Sequence, residues 1–228
     1  MSSEATSLIT AKPSMFNENV RLIGIAGRAK SGKSYLAKHI KSRYRNVYIV
    51  SLSAPLKMAL AAILSYAGYS QKEITEKLSG KLKELQDPIL GYTPRFLMQT
   101  LGTEWGRNIL GDSLWINLAT VKIQKLSEEH SNKDIIVIVD DIRFENEIEW
   151  IKMNNGKIIA LVSDQELRGN LPADMKRVHI SEALSIKKLA QEASLIFVDF
   201  PKMSPKDIDE ALNKHGPDVG LSRYYRAT

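Results

Sequence analysis

The feature that most constrains this chain is a short apolar run, Arg21 to Ala26, that ends directly in Gly27-Arg28-Ala29-Lys30-Ser31-Gly32-Lys33-Ser34. An apolar run stopped by glycine reads as a buried strand. Leu36, Ala37 and Ile40 then recur at helical spacing, so a helix begins at Lys33 and reaches about Tyr44. A strand, a glycine loop and a helix in that order gather backbone N–H groups around one small volume, at the positive end of a helix dipole. Gly27 and Gly32 let the backbone wrap that closely. The spacing G-x-x-x-x-G-K-S suits a triphosphate: Lys33 reaches the β- and γ-phosphates, and the Ser34 hydroxyl can ligate Mg²⁺. The candidate ATP-binding residues are Gly27, Lys30, Ser31, Gly32, Lys33, Ser34 and Tyr35.

Further strands are expected at Val47 to Leu52, Asp134 to Val139, Lys157 to Val162 and Leu195 to Val198. The run Asp134 to Val139 is apolar on both faces, as in a central parallel strand. Helices are expected at Pro55 to Tyr66, Pro94 to Ile109, Ser113 to Glu129, Phe144 to Met153, Glu182 to Gln191 and Pro205 to Asn213. Gln71 to Asp87 reads as weakly helical, and Asp164 to Val178 as irregular and basic. Strands alternating with helices imply an α/β domain, a parallel sheet of about five strands covered on both faces. The expected organisation is a disordered lead over 1–19, one domain over 20–215 and a basic tail over 216–228. The tail reads equally as mobile, docked or an oligomer contact, so a homodimer stays open.

With 228 residues there is room for one well-buried domain. No apolar run is long enough to span a bilayer, and the polar start lacks the order of a signal peptide. There is no cysteine, which excludes disulfides and thiolate metal sites and fits a cytoplasmic setting. The net charge of +6 is spread among acidic neighbours rather than gathered in one block, which favours a solvated surface over stable nucleic-acid binding.

Asp140 and Asp141 close the central strand. A carboxylate at that place, beside a phosphate loop, holds Mg²⁺ directly or through water, so Ser34, Asp140 and Asp141 are the candidate metal residues. Arg143 follows, and a guanidinium there can clamp a phosphate. Glu147 lies four residues on, so an Arg143–Glu147 pair on one helix face is expected.

Three stretches carry a resemblance. They are Thr93-Pro94-Arg95-Phe96-Leu97-Met98-Gln99-Thr100-Leu101-Gly102-Thr103-Glu104-Trp105-Gly106-Arg107, then Asp112 to Trp115, then Asp140 to Glu147. Together they resemble the deoxynucleoside monophosphate kinases of bacteriophages, over about Arg21 to Leu184. The resemblance implies a P-loop three-layer α/β/α fold of the nucleoside monophosphate kinase type. It also implies ATP and Mg²⁺ as cofactors and a deoxynucleoside monophosphate as acceptor. A helical acceptor region over about 55–130 and a lid over about 163–181 are implied too. Arg95, Gln99 and Gly102-Thr103 share a helix face by their spacing. Arg95 suits the acceptor phosphate, the Gln99 amide can read a base edge, and Trp115 offers a flat surface for a base. With Arg143 and Glu147 these form the expected acceptor set, and Lys33, Arg95, Asp141 and Arg143 the expected catalytic set. Arg168, Lys176 and Arg177 are the expected lid cations.

Two departures stand out. The family commonly has Asp where Ser34 stands, and Ala-Asp-Pro-Leu-Lys where this chain has Ser53-Ala54-Pro55-Leu56-Lys57. That carboxylate is lost, although Ser53 or Lys57 can still face the acceptor. Animal-type phosphomevalonate kinases share the lysine-bearing loop, the Ser-x-Pro-Leu-Lys element and an Asp-Ile-Arg strand end, and make that small phosphate the alternative acceptor. An ATPase acting on nucleic acid is the remaining alternative. The run from Gln99 to Arg107 favours the nucleotide.

Overall fold

The computed structural model describes residues 14–168 and 186–221. Five strands, β1 (Val20–Gly27), β2 (Val47–Val50), β3 (Ile135–Ile142), β4 (Lys157–Val162) and β5 (Leu195–Val198), form one sheet. Their order is β2-β3-β1-β4-β5, and every pairing is parallel. Parallel strands need crossovers, and helices supply them: α1 (Lys33–Arg43), α2 (Ala54–Tyr66), α3 (Gln71–Ser79), α4 (Pro94–Gln99), α5 (Leu114–Glu129), α6 (Glu145–Met153), α7 (Asp164–Leu167) and α8 (Ile186–Glu192); α9 (Pro205–His215) follows the last strand.

Alternation along the strands sends side chains to two cores. Leu22, Val137, Val139, Ile158 and Ala160 pack against α2, α5, α6 and α8. Ile23, Ile25, Ile136, Ile138, Ile159 and Leu161 pack against α1 and α9. This is the expected three-layer α/β/α arrangement, and it buries the central strands on both faces. Among the described residues, no helix is long and apolar enough to cross a membrane.

β3 runs past Val139, where the apolar pattern stops, to Ile142. Its register against β1 goes from Gly24↔Val139 to Ala26↔Ile142, so β3 carries one extra residue there. A bulge of this kind re-aims side chains, and the carboxylates of Asp140 and Asp141 sit in it. The stretch expected as one helix from Pro94 is α-helical only to Gln99; Thr100–Leu110 is a π-helix. Such segments recur at functional sites. Asp164–Leu167, expected to be irregular, is a turn of helix closed by a Ser163–Glu166 capping box.

The ends differ from expectation. Phe16 is buried against Trp150, and Asn17 and Asn19 exchange hydrogen bonds with Ser127, so residues 14–19 belong to the domain and not to the lead. Gly216–Val219 is a 3₁₀ turn whose Val219 and the following Leu221 are buried beside α9. The first part of the tail is therefore docked, because its apolar residues complete that core.

Candidate active site

The phosphate loop lies between β1 and α1. Gly27 and Gly32 have φ of 150° and 96°. A Cβ at Gly27 would stand 2.5 Å from the Leu161 carbonyl oxygen, and one at Gly32 would stand 2.6 Å from the Phe200 ring. Only glycine meets both demands. Lys33 is buried, and its ammonium donates to the carbonyls of Gly27 and Arg28 at 2.6 and 2.7 Å. The Ser31 hydroxyl is buried without a hydrogen-bond partner among the described residues, which fits a phosphate oxygen at that place. Arg28 pairs with Glu166 of α7 at 2.7 Å, tying the loop to the root of the expected lid. Lys30 lines the cleft with positive φ; the exposed Tyr35 ring lies beside His39 and Phe200.

The bulge separates the two strand-end carboxylates. Asp140 accepts from the Ser34 hydroxyl at 2.8 Å. Burial raises its pKa, the neighbouring Asp141 adds to this, and the Ser34 bond opposes it. Asp141 instead accepts from the Ser51 hydroxyl (2.6 Å) and the backbone N–H groups of Leu52 (2.8 Å) and Ser53 (2.9 Å). Asp141, expected in the catalytic set and as a metal residue, thus has both oxygens engaged by the turn that launches α2, and Asp140 is the one bonded to the phosphate loop's Ser34. Ser34 and Asp140 are hard oxygen donors, and such a pair suits Mg²⁺, which keeps several waters and phosphate oxygens in its shell.

One cleft of about 700 Å³ runs from this loop to the helical region expected to take the acceptor. Ser53, Lys57 and Lys83 line its far end with Arg95, Gln99 and Arg143. Lys57 enters on the first turn of α2, fixed by Asp141. Arg95 enters on α4, whose N-terminus is capped by the Thr93 hydroxyl, and its guanidinium pairs with Glu84. Lys83 comes from a 3₁₀ turn, Lys81–Glu84, inside the stretch expected to be weakly helical. Burial, and then repulsion from Arg95, Lys57 and Arg143, pushes its pKa down to about 8, with Glu84 opposing.

Two further expected acceptor residues, Trp115 and Glu147, line the same cleft while also holding neighbouring segments in place. Trp115 is 5% exposed; its ring packs on Gly106 and its Nε1 donates to the Gly102 carbonyl at 2.8 Å. It forms a wall under the π-helix rather than an open platform for a base. Glu147 is 3% exposed and holds Arg107 in a buried ion pair. Its other oxygen accepts from the backbone N–H groups of Arg143 (2.6 Å) and Phe144 (3.0 Å). The expected Arg143–Glu147 contact is thus made through the Arg143 backbone, and Glu147 positions the turn carrying Arg143. Burial pushes the Glu147 carboxyl up to about 7 against the opposing pull of Arg107 and the two amides. Gly102 and Thr103 line the cleft as expected.

Arg107 and Lys83 were not singled out by sequence reasoning. Arg107 lies 3.6 Å over the Phe144 ring and lines the cleft. Its signal was available, since 95, 99, 103 and 107 continue one spacing of four. Lys83 had none, because a lysine in a charged stretch looks like any solvated residue. Of the lid cations, Arg168 is exposed and pairs with Asp164, while Lys176 and Arg177 lie outside the described residues.

A phosphate loop at the carboxyl edge of a parallel sheet, opening into a cleft with a second cationic end, defines the class: a P-loop kinase, a phosphotransferase. Residues 75–188, half of the 228, match the family model described as deoxynucleotide monophosphate kinase, and the chain belongs to that family. The match takes in α4, the π-helix, α5 and the acidic strand end; the phosphate loop and α2 precede it. A protein of Acanthamoeba polyphaga mimivirus, provisionally described as a deoxynucleotide monophosphate kinase, is 27% identical over 148 residues, 61% of this chain and 72% of its own length. Among solved structures, the dephospho-CoA kinase of Campylobacter jejuni is 16% identical with a TM-score of 0.44, over 88% of this chain and 98% of its own. A sugar kinase from Janibacter sp. HTCC2649 is 11% identical with a TM-score of 0.34, over 89% and 97%. At these scores the fold rests on the sheet order and the loop rather than on either likeness.

Proposed function

We propose that this protein transfers the γ-phosphoryl group of ATP to a deoxynucleoside 5′-monophosphate, giving the diphosphate. The observation that carries this reading is the continuous cleft, with the Gly27–Ser34 loop at one end and Lys57, Arg95 and Arg143 beside Gln99 at the other. One end suits a triphosphate, the other a monophosphate joined to a base.

The loop amides and Lys33 hold the β- and γ-phosphates of ATP. Lys33 rests on its own loop carbonyls, and its ammonium swings to the phosphates when they arrive. Ser34 and Asp140 would hold Mg²⁺, which when bound neutralises the charge on the β- and γ-phosphates. Arg95 and Arg143 hold the acceptor phosphate in line with the γ-phosphorus. A phosphate oxygen is already nucleophilic, so no base is needed, and positioning with electrostatic stabilisation carries the step. The Gln99 amide faces the acceptor and offers both donor and acceptor to a base edge. Arg168, Lys176 and Arg177 are proposed to approach the transferring group as a lid closes.

The test is a coupled assay of the purified chain with ATP–Mg²⁺ and, in turn, each deoxynucleoside monophosphate, the ribonucleotides, phosphomevalonate and a DNA 5′-hydroxyl. Turnover with one or more deoxynucleoside monophosphates is expected. Turnover confined to phosphomevalonate or DNA overturns the reading.

A further inference from the structure

Lys83 and Lys57 face the cleft beside Arg95 and Arg143. Among the described residues, neither lysine ammonium has a hydrogen bond or an ion pair. Arg95 of α4, Lys57 of α2 and Arg143 after β3 repel Lys83, while Glu84 on its own turn attracts it and also pairs with Arg95. On α3, Glu76 takes the Lys81 backbone N–H and Lys77 is committed to Asp87. Asp140, across the cleft, acts on Lys57. Lys83 thus sits in the cleft among Arg95, Lys57 and Arg143, with Glu84 the carboxylate that attracts it. A half-buried ammonium without a hydrogen bond or ion pair of its own, held near other cations, is costly, and an anion entering beside it relieves that cost.

We propose that Lys83 is an acceptor-phosphate ligand: its ammonium, with Lys57, completes the seat that Arg95 and Arg143 begin. This rests on the phosphate-acceptor reading above. It adds a residue from a turn that carries no phosphate-binding motif. A dianionic phosphate entering the seat brings negative charge to Lys83, whose ammonium has no ion pair among the described residues, so binding favours its ammonium form. A group near 8 in the free enzyme is then raised on binding. Acceptor affinity is therefore full below about pH 8 and falls as pH rises beyond it, because the free enzyme loses the proton that the complex needs.

The test uses the full chain and the variants Lys83→Gln and Lys83→Arg, with folding checked by circular dichroism and melting temperature. With the deoxynucleoside monophosphate that the wild type phosphorylates best, Lys83→Gln is expected to raise the acceptor KM roughly 10- to 100-fold, the loss of one charged hydrogen bond. Its kcat and its KM for ATP should change little. Lys83→Arg, charged at any working pH, should keep a low acceptor KM and abolish the alkaline rise near pH 8. An acceptor KM within about twofold of wild type in Lys83→Gln, or an alkaline rise that survives in Lys83→Arg, overturns the proposal. If the wild type phosphorylates no monophosphate, the functional reading fails instead. Inorganic phosphate binding by calorimetry then decides on Lys83: weaker binding to Lys83→Gln supports the phosphate seat, and equal binding refutes it.

Discussion

The Ser34 hydroxyl donates to the Asp140 carboxylate at 2.8 Å, joining the first turn of α1 to the bulge in β3. Neither residue identifies its partner in the sequence, and 106 positions separate them. The bond brings two oxygen-bearing side chains, the proposed Mg²⁺ ligands, together next to Lys33, where the phosphates of ATP are expected.

Replacing Asp140 or the neighbouring Lys33 should therefore separate chemistry from folding. Asp140→Asn is expected to weaken the apparent Mg²⁺ affinity by about 10- to 100-fold, the scale of losing a group that tunes a metal site. Lys33→Ala is expected to lower kcat by at least about 100-fold, as for loss of one preorganised donor. Circular dichroism should report an unchanged fold for both. Wild-type turnover by Lys33→Ala would dismiss the phosphate-loop assignment.

Asp141 should behave differently from its neighbour. Asp141→Ala leaves the Ser51 hydroxyl and two backbone N–H groups without their acceptor, at a cost of about 1–3 kcal/mol for each buried donor left unsatisfied. Thermal unfolding should show a clear drop in melting temperature. The acceptor KM should rise as well, because Lys57 rides on the same turn. A variant as stable as wild type contradicts the role assigned to this carboxylate.

The Arg107–Glu147 pair gives a stability profile with a definite sign. The folded chain holds the Glu147 proton up to about 7, while the unfolded chain releases it near the ordinary value of 4.5. This group's contribution is thus fully present below about 4.5 and is lost as pH rises toward 7. Removing Arg107 should cost about 3–5 kcal/mol where Glu147 is charged, as for one partner of a buried ion pair. Arg107→Met is accordingly expected to be most damaging at pH 8 and milder at pH 5. Denaturant titrations at the two pH values check this, and equal losses would refute it.

Lys77 and Asp87 give the opposite sign. Burial raises the Asp87 carboxyl, yet the bonds from Lys77, the Leu90 and Ile89 amides and Tyr69 together hold it below its usual range. The stabilisation is therefore present above the unfolded carboxylate range and lost as pH falls through the folded value. Asp87→Asn should lower the melting temperature at pH 7 and narrow its difference from wild type toward pH 3. Since Asp87 also closes the turn that leads to Arg95, the acceptor KM should rise at neutral pH.

The fold was legible because its signals are local and periodic. The glycine loop, the doubly apolar β3 and the Pro55, Pro94 and Pro205 helix starts each carry their reason within a few residues. Docked ends were not legible: Phe16 and Leu221 look like stray apolar residues until a core is present to receive them. The π-helix was read as ordinary helix, since the two differ by one residue in their hydrogen-bond step.

By itself, the sequence determined the phosphate loop and the parallel sheet, because loop geometry and strand burial are enforced by neighbouring residues. Tertiary structure alone decided which carboxylate faces the loop, that Glu147 serves Arg107, that Trp115 is a wall, and that Lys83 stands among cations. Those assignments depend on burial and on charges brought together from distant segments. A desolvated charge acquires its role from what surrounds it, and residue order does not record that.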